Sequence, residues 1–125
     1  MGPLQISTTQ EHRYQDQHLD LDFERKIALL DTKPLGLTRK EYDLLALLIQ
    51  NAGEVVNREA LLLRVWGYSS QIRTRTLDVH IRRLRKKLGE HSGVYIETIF
   101  GVGYRFQPFR AKAATRLAPL MAMGA

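Results

Sequence analysis

The stretch Ile72 to Gly89, IRTRTLDVHIRRLRKKLG, decides how the rest of the chain is read. At about 100° per residue, Leu77, Ile81, Leu84 and Leu88 fall in one narrow wedge of a helix, while Arg75, Val79, Arg82, Arg83 and Lys86 point the other way. One face belongs to a core. The other is almost wholly cationic, and a basic helix held by its apolar back can push charge into the major groove of a nucleic-acid duplex.

The elements around this helix follow from local signals. Thr74 is the expected N-cap, with Asp78 near the positive end of the helix dipole and spaced to pair with Arg82 one turn on. Gly89 ends the helix and residues 90–93 turn the chain. Residues 94–99 and 104–106 then read as two strands joined through Phe100-Gly101-Val102-Gly103, a hairpin whose glycines supply positive φ. Upstream, Thr38-Arg39-Lys40-Glu41 has capping-box spacing and opens a helix that buries Tyr42, Leu45, Leu48 and Ile49 before Gly53. Asn57 caps a second, short helix with Leu61, Leu62, Val65 and Trp66 apolar and Gly67 as its stop. Before these helices, the alternation at 19–22 and the run at 26–30 predict an antiparallel sheet of three or four strands between Arg13 and Leu37.

The order is therefore sheet, three helices and hairpin: an α+β winged helix-turn-helix with an N-terminal antiparallel sheet and a C-terminal β-hairpin wing. Residues 1–12 read as a linker remnant, 13–107 as the domain and 108–125 as a tail without caps or a clear stripe.

Composition agrees with one compact domain. The 125 residues are 44% hydrophobic and 26% charged, ordinary globular proportions. Net charge of +6 and a pI near 9.9 favour a polyanionic partner, a preference that ribosomal and membrane-surface proteins share. Absence of cysteine excludes disulfides and thiolate metal sites. No apolar run approaches the roughly 20 residues of a membrane span, so a cytoplasmic location is expected. Gly101-Val102-Gly103 lacks the third glycine and the following helix of a nucleotide-binding turn, and no nucleophile or paired-carboxylate motif stands out. We expect no enzyme activity, no cofactor and no metal.

Taken together, Arg58-Glu59-Ala60-Leu61-Leu62, Val65-Trp66-Gly67, residues 75–88 and Gly101-Val102-Gly103-Tyr104-Arg105-Phe106 resemble the DNA-binding output domain of OmpR/PhoB-type bacterial response regulators, over about residues 14–106. The resemblance implies that helix 73–88 enters the major groove, that the wing reaches the adjacent minor groove, and that the domain controls transcription. It also implies that loop 67–73 contacts RNA polymerase in some members, and that copies bind direct repeats head to tail. Nothing here resembles the phospho-accepting receiver domain that precedes the output domain in that family, so the chain reads as an isolated output fragment, the favoured reading, or as a stand-alone regulator.

Physical chemistry assigns roles along the helix. Arg82 and Arg83 are the expected base readers, because guanidinium forks match guanine bidentately; Arg75 and Lys86 lie nearer the backbone. Val79 has two open readings, a thymine-methyl contact or a valine shielded by long neighbours. For Trp66, Thr76, Arg85 and Tyr104 the resemblance implies phosphate contacts, against core packing for Trp66 and a solvated charge for Arg85. His80 sits beside the cationic face, and the resemblance places it at the DNA. In the wing, Phe100 stands where members often carry a basic residue. Two readings follow: a weaker wing, the favoured one, with Thr98 and Arg105 as its contacts, or a Phe100 that packs against sugars or a neighbouring subunit. Rival readings are a winged helix that meets an acidic protein, and an RNA-binding protein.

Overall fold

The computed structural model describes residues 8–9, 12–67 and 74–110. An N-terminal sheet runs in simple antiparallel order through β1 (Thr8–Thr9), β2 (Arg13–Gln15), β3 (Leu19–Asp22), β4 (Ile27–Leu30) and β5 (Lys33–Pro34). Four of its strands lie between Arg13 and Leu37, as predicted, and the addition is β1, a two-residue edge against Gln15 and Tyr14 that is too short to show a period of two. The sheet thus begins before residue 13, at a segment that reads as a linker.

Alternation does what it should in β2 and β3: Tyr14, Leu19 and Leu21 are fully buried, and Asp20 and Asp22 face outward. Asp22 closes the next turn by accepting from the amides of Glu24 and Arg25, both at 3.0 Å. Lys26 takes a positive φ there, which moves it out of the strand that begins at Ile27.

Helix α1 (Arg39–Gln50) packs between this sheet and the other helices, so eight of its twelve residues are buried rather than a single stripe. Its capping box forms: the Glu41 amide donates to Thr38 Oγ1 at 3.2 Å, and the Thr38 amide donates to Glu41 Oε1 at 2.9 Å. Glu41 is nevertheless almost fully buried, and the charge is tolerable because Lys87 Nζ lies 2.6 Å from the same oxygen. Burial pushes its carboxyl pKa up, but the Lys87 ammonium and the Thr38 amide outweigh this and hold it below its ordinary value near 4.5. A lowered folded-state pKa stabilises the fold above the unfolded value and loses that contribution as pH falls through the folded one. Glu41→Gln keeps a capping acceptor but not the ion pair. It should cost about 1–2 kcal/mol at neutral pH, with a difference from wild type that shrinks as pH falls through the lowered folded-state pKa, as urea melts across pH would record.

Asn57 caps α2 (Arg58–Trp66), accepting from the Ala60 amide at 2.7 Å, and Gly67 ends it at φ +92°. Lys40 of α1 donates to the Val65 carbonyl at 2.9 Å, placing a cation at the negative end of α2. Helix α3 (Thr74–Leu88) follows, with Thr74 inside its first turn; the cap predicted there falls at the edge of the described residues.

Past α3 the prediction needs correction. A 3-10 turn at Gly89–His91 runs into a single helical turn, α4 (Ser92–Tyr95), so Val94 and Tyr95 are helical and strand β7 covers only Ile96–Ile99. Tyr95 turns inward as a result, stacking on Phe106 at 5.4 Å, while Tyr14 meets the same ring edge-on at 5.5 Å. Strand β8 is Gly103–Phe106, and β6 (Val55–Asn57) adds a third strand to give the order β6-β8-β7. Beyond the predicted boundary at 107, Phe109 packs edge-on against His18 at 4.5 Å, and its amide donates to Asp16 Oδ2 at 3.2 Å.

Candidate nucleic-acid interface

The two faces of α3 separate as the sequence predicts. Leu77, Ile81, Leu84 and Leu88 are buried at 1% exposure or less, and Arg75, Arg82, Arg83 and Lys86 are exposed. Val79 lies half-buried among them. The apolar wedge fixes the helix against α1 and α2, so the cationic side chains start from a rigid backbone, which lowers the entropy lost on meeting a ligand.

Several of the predicted contact residues also fasten the helix to the wing. Asp78 does not pair with Arg82. Its Oδ1 accepts from Arg58 at 2.7 Å and from the Tyr104 hydroxyl at 2.9 Å. A partner on another element outcompetes the intrahelical one because the Tyr104 ring, only 5% exposed, holds its hydroxyl beside Asp78. Burial and that hydrogen bond raise the Tyr104 pKa, so the group stays a neutral donor. Arg85 is no solvated charge: it donates to the Ile96 carbonyl at 2.9 Å and to Thr98 Oγ1 at 2.7 Å, with its guanidinium 5.7 Å from the Tyr104 ring centroid. Thr98, Arg85 and Tyr104 are thus struts between α3 and the wing. Backbone contacts complete the link, since the Arg58 amide donates to the Val102 carbonyl at 3.0 Å and Asn57 pairs with Gly103.

Trp66 is partly buried against the core, and the His80 ring meets its indole edge-on at 4.9 Å. His80 Nδ1 donates to the Thr76 carbonyl at 2.8 Å, which leaves Nε2 for an external partner. Thr76 itself is half-buried in the first turns of α3.

The wing is electrostatically poor. Arg105 faces Glu97 across the β7-β8 pair and is 2.8 Å from its carboxylate, so the two charges cancel locally. The tip is apolar: Phe100 is 90% exposed and Val102 47%. An amide of Val102 donating to the Ile99 carbonyl at 2.9 Å closes the turn, with Gly101 at φ +77° in the position that requires a left-handed residue. Gly103 serves differently from the prediction. It does not supply positive φ; a Cβ there would lie 2.0 Å from the Val56 carbonyl oxygen, so strands β6 and β8 approach closely only because none is present.

Sequence reasoning missed Arg58 as the partner of Asp78, and the Glu97–Arg105 pair. The first joins residues twenty apart and carries no local signal. The second was hidden by a hairpin register one residue off, since the loop is Phe100-Gly101-Val102 and Ile99 pairs with Gly103. RNA-polymerase contacts predicted for loop 67–73 lie, beyond Gly67, outside the described residues.

Residues 32–106 match the family model described as the transcriptional regulatory protein, C terminal. The chain belongs to that family, the OmpR/PhoB-type output domains. It is 51% identical over 79 residues to the uncharacterised transcriptional regulatory protein YclJ of Bacillus subtilis, covering 62% of this chain and 35% of that one. Among solved structures, the response regulator DrrB of Thermotoga maritima, an OmpR/PhoB homologue, superposes with a TM-score of 0.70 at 35% identity, over 77% of this chain and 44% of that chain. The Klebsiella pneumoniae RstA DNA-binding domain, solved in complex with the RstA box, gives 0.69 at 30% identity, over 78% of this chain and 98% of that domain. The chain thus spans little more than a third of the length of the curated relatives it matches. No helix among the described residues of this output domain is long and apolar enough to cross a membrane.

Proposed function

We propose that this output domain binds duplex DNA sequence-specifically by seating α3 in the major groove, and so controls transcription as the effector end of a cytoplasmic two-component response regulator. One observation carries the reading: four cations are exposed along a helix whose opposite face is buried at 1% exposure or less. Arg82 and Arg83 read base edges, and Arg75 and Lys86 neutralise phosphates. Val79 sits among them, where its methyls meet a thymine methyl. His80 Nε2, Thr76 and the Trp66 indole lie at the groove edge as phosphate contacts, and RstA, a relative of the same fold, was solved on its DNA box. Nothing in the site suggests catalysis; this is a binding module. Copies on DNA associate head to tail on direct repeats, through a heterologous interface.

The wing contributes less than the helix because Arg105 is neutralised and the tip is apolar. Hydrogen bonding to Arg105, foremost, holds the Glu97 carboxyl below its ordinary value, so it stays ionised near neutral pH. Glu97→Gln should therefore release a cation towards the backbone. We expect higher affinity at low salt and a log–log salt slope steeper by about 0.9, measured by fluorescence anisotropy.

A mobility-shift competition tests the function itself. A selected duplex should survive excess unrelated duplex and single-stranded RNA. Equal competition by unrelated duplex would leave a non-specific binder; better competition by RNA would move the domain to another class.

A further inference from the structure

Away from α3, the fold brings together two histidines that are far apart in sequence. His18 precedes β3 and His91 lies in the 3-10 turn after α3; their rings stack at 4.0 Å with planes 24° apart. Asp31 faces both, with Oδ1 2.6 Å from His18 Nδ1 and Oδ2 3.5 Å from His91 Nε2. One ligand-capable atom from each residue falls within 4.8 Å of the others. We propose that His18, Asp31 and His91 bind a divalent transition-metal ion of the zinc and cobalt class.

The donor set selects the ion. Two imidazoles and one carboxylate suit borderline metals such as Zn²⁺ and Co²⁺, whereas Mg²⁺ and Ca²⁺ prefer oxygen ligands throughout. Bonds of about 2.0–2.2 Å in a tetrahedral site require donor atoms roughly 3.3–3.6 Å apart, so the two stacked rings must swing out of their near-parallel arrangement to aim both nitrogen lone pairs at one ion. Glu90, whose carboxylate lies 3.9 Å from His91 Nε2, is within reach of the remaining position.

Each donor is held by its surroundings. Asp16 Oδ1 accepts from the His18 amide at 2.8 Å, and the Asp31 amide donates to the His18 carbonyl at 2.7 Å, which fixes these two residues across the mouth of the β3-β4 pair. Phe109 packs edge-on against both imidazoles, at 4.5 and 6.1 Å, and the two histidine side chains are only 19% and 15% exposed. Asp31 remains open to solvent at 53%, giving an ion a way in. A bound ion would replace the His18–Asp31 hydrogen bond and tie the N-terminal sheet to the segment between α3 and the wing. The site shares no residue with the DNA-binding face.

Chelator-treated full chain titrated with Co²⁺ alone, read by visible absorption, tests the site. We expect one equivalent per chain with the intense bands of tetrahedral cobalt, displacement by Zn²⁺ and no response to Mg²⁺. Zn²⁺ at about 100 times its Kd should raise Tm by on the order of 10 °C. His18→Gln, His91→Gln and Asp31→Asn should each weaken binding at least about 10-fold, with His12→Gln as a control that does not. Circular dichroism confirms that each variant is folded. Absence of stoichiometric binding, or binding that survives in folded His18→Gln and His91→Gln, would overturn the proposal.

Discussion

Gly103→Ala should lower the stability of the domain by about 3 kcal/mol, on the order of 15 °C in Tm, the largest effect expected of a methyl group added at any described glycine. The added Cβ would meet three backbone atoms, the Val56 oxygen at 2.0 Å, the Asn57 Cα at 2.7 Å and the Val56 carbonyl carbon at 2.9 Å. Backbone cannot swing aside as a long side chain can, so β6 and β8 must part. That separation also pulls on Asn57, which pairs with Gly103 and caps α2. Loss of stability should therefore come with loss of DNA affinity. Gly101→Ala provides the contrast: open space surrounds that position, and only its φ of +77° penalises a side chain, at a cost of about 1–2 kcal/mol. Thermal melts of the two variants separate close approach from backbone strain. Equal losses would refute the steric account.

Arg82→Ala/Arg83→Ala and Arg75→Ala/Lys86→Ala remove equal charge and should fail differently. The first pair loses bidentate base contacts, each worth about 1–3 kcal/mol of discrimination, so preference for the selected site over mismatched duplexes should collapse. The second pair loses phosphate contacts. All duplexes should weaken together, and the slope of log K against log salt should fall by about 1.8. Alanine favours helix and all four positions are exposed, so neither variant should lose the fold. Anisotropy titrations over a salt series, with matched and mismatched duplexes, give both quantities. If both variants changed slope and discrimination alike, the division of labour on α3 would be wrong.

What was legible in the sequence was what is local. The capping box at Thr38 and Glu41, the Asn57 cap and the wedge of Leu77, Ile81, Leu84 and Leu88 each lie within a few helical turns, where spacing determines contact. Strand β6 was not legible, because three residues between Glu54 and Arg58 carry no periodicity and pair only once β8 arrives. Nor was the role of Arg85. On the helix it is one more cation; only the tertiary fold brings it to the Ile96 carbonyl and Thr98, where it serves as a strut. The same limit hid His18 and His91, whose stacking depends on the sheet and the end of α3 meeting.

Recognition of one duplex sequence by the exposed face of α3 is the central claim, and selection from a random duplex pool tests it most directly. Wild-type chain should enrich one motif, arranged as a direct repeat where two copies bind, and Arg83→Ala should enrich the same motif with one base pair relaxed by about 1–3 kcal/mol. No enrichment, or an unchanged motif for Arg83→Ala, would contradict it.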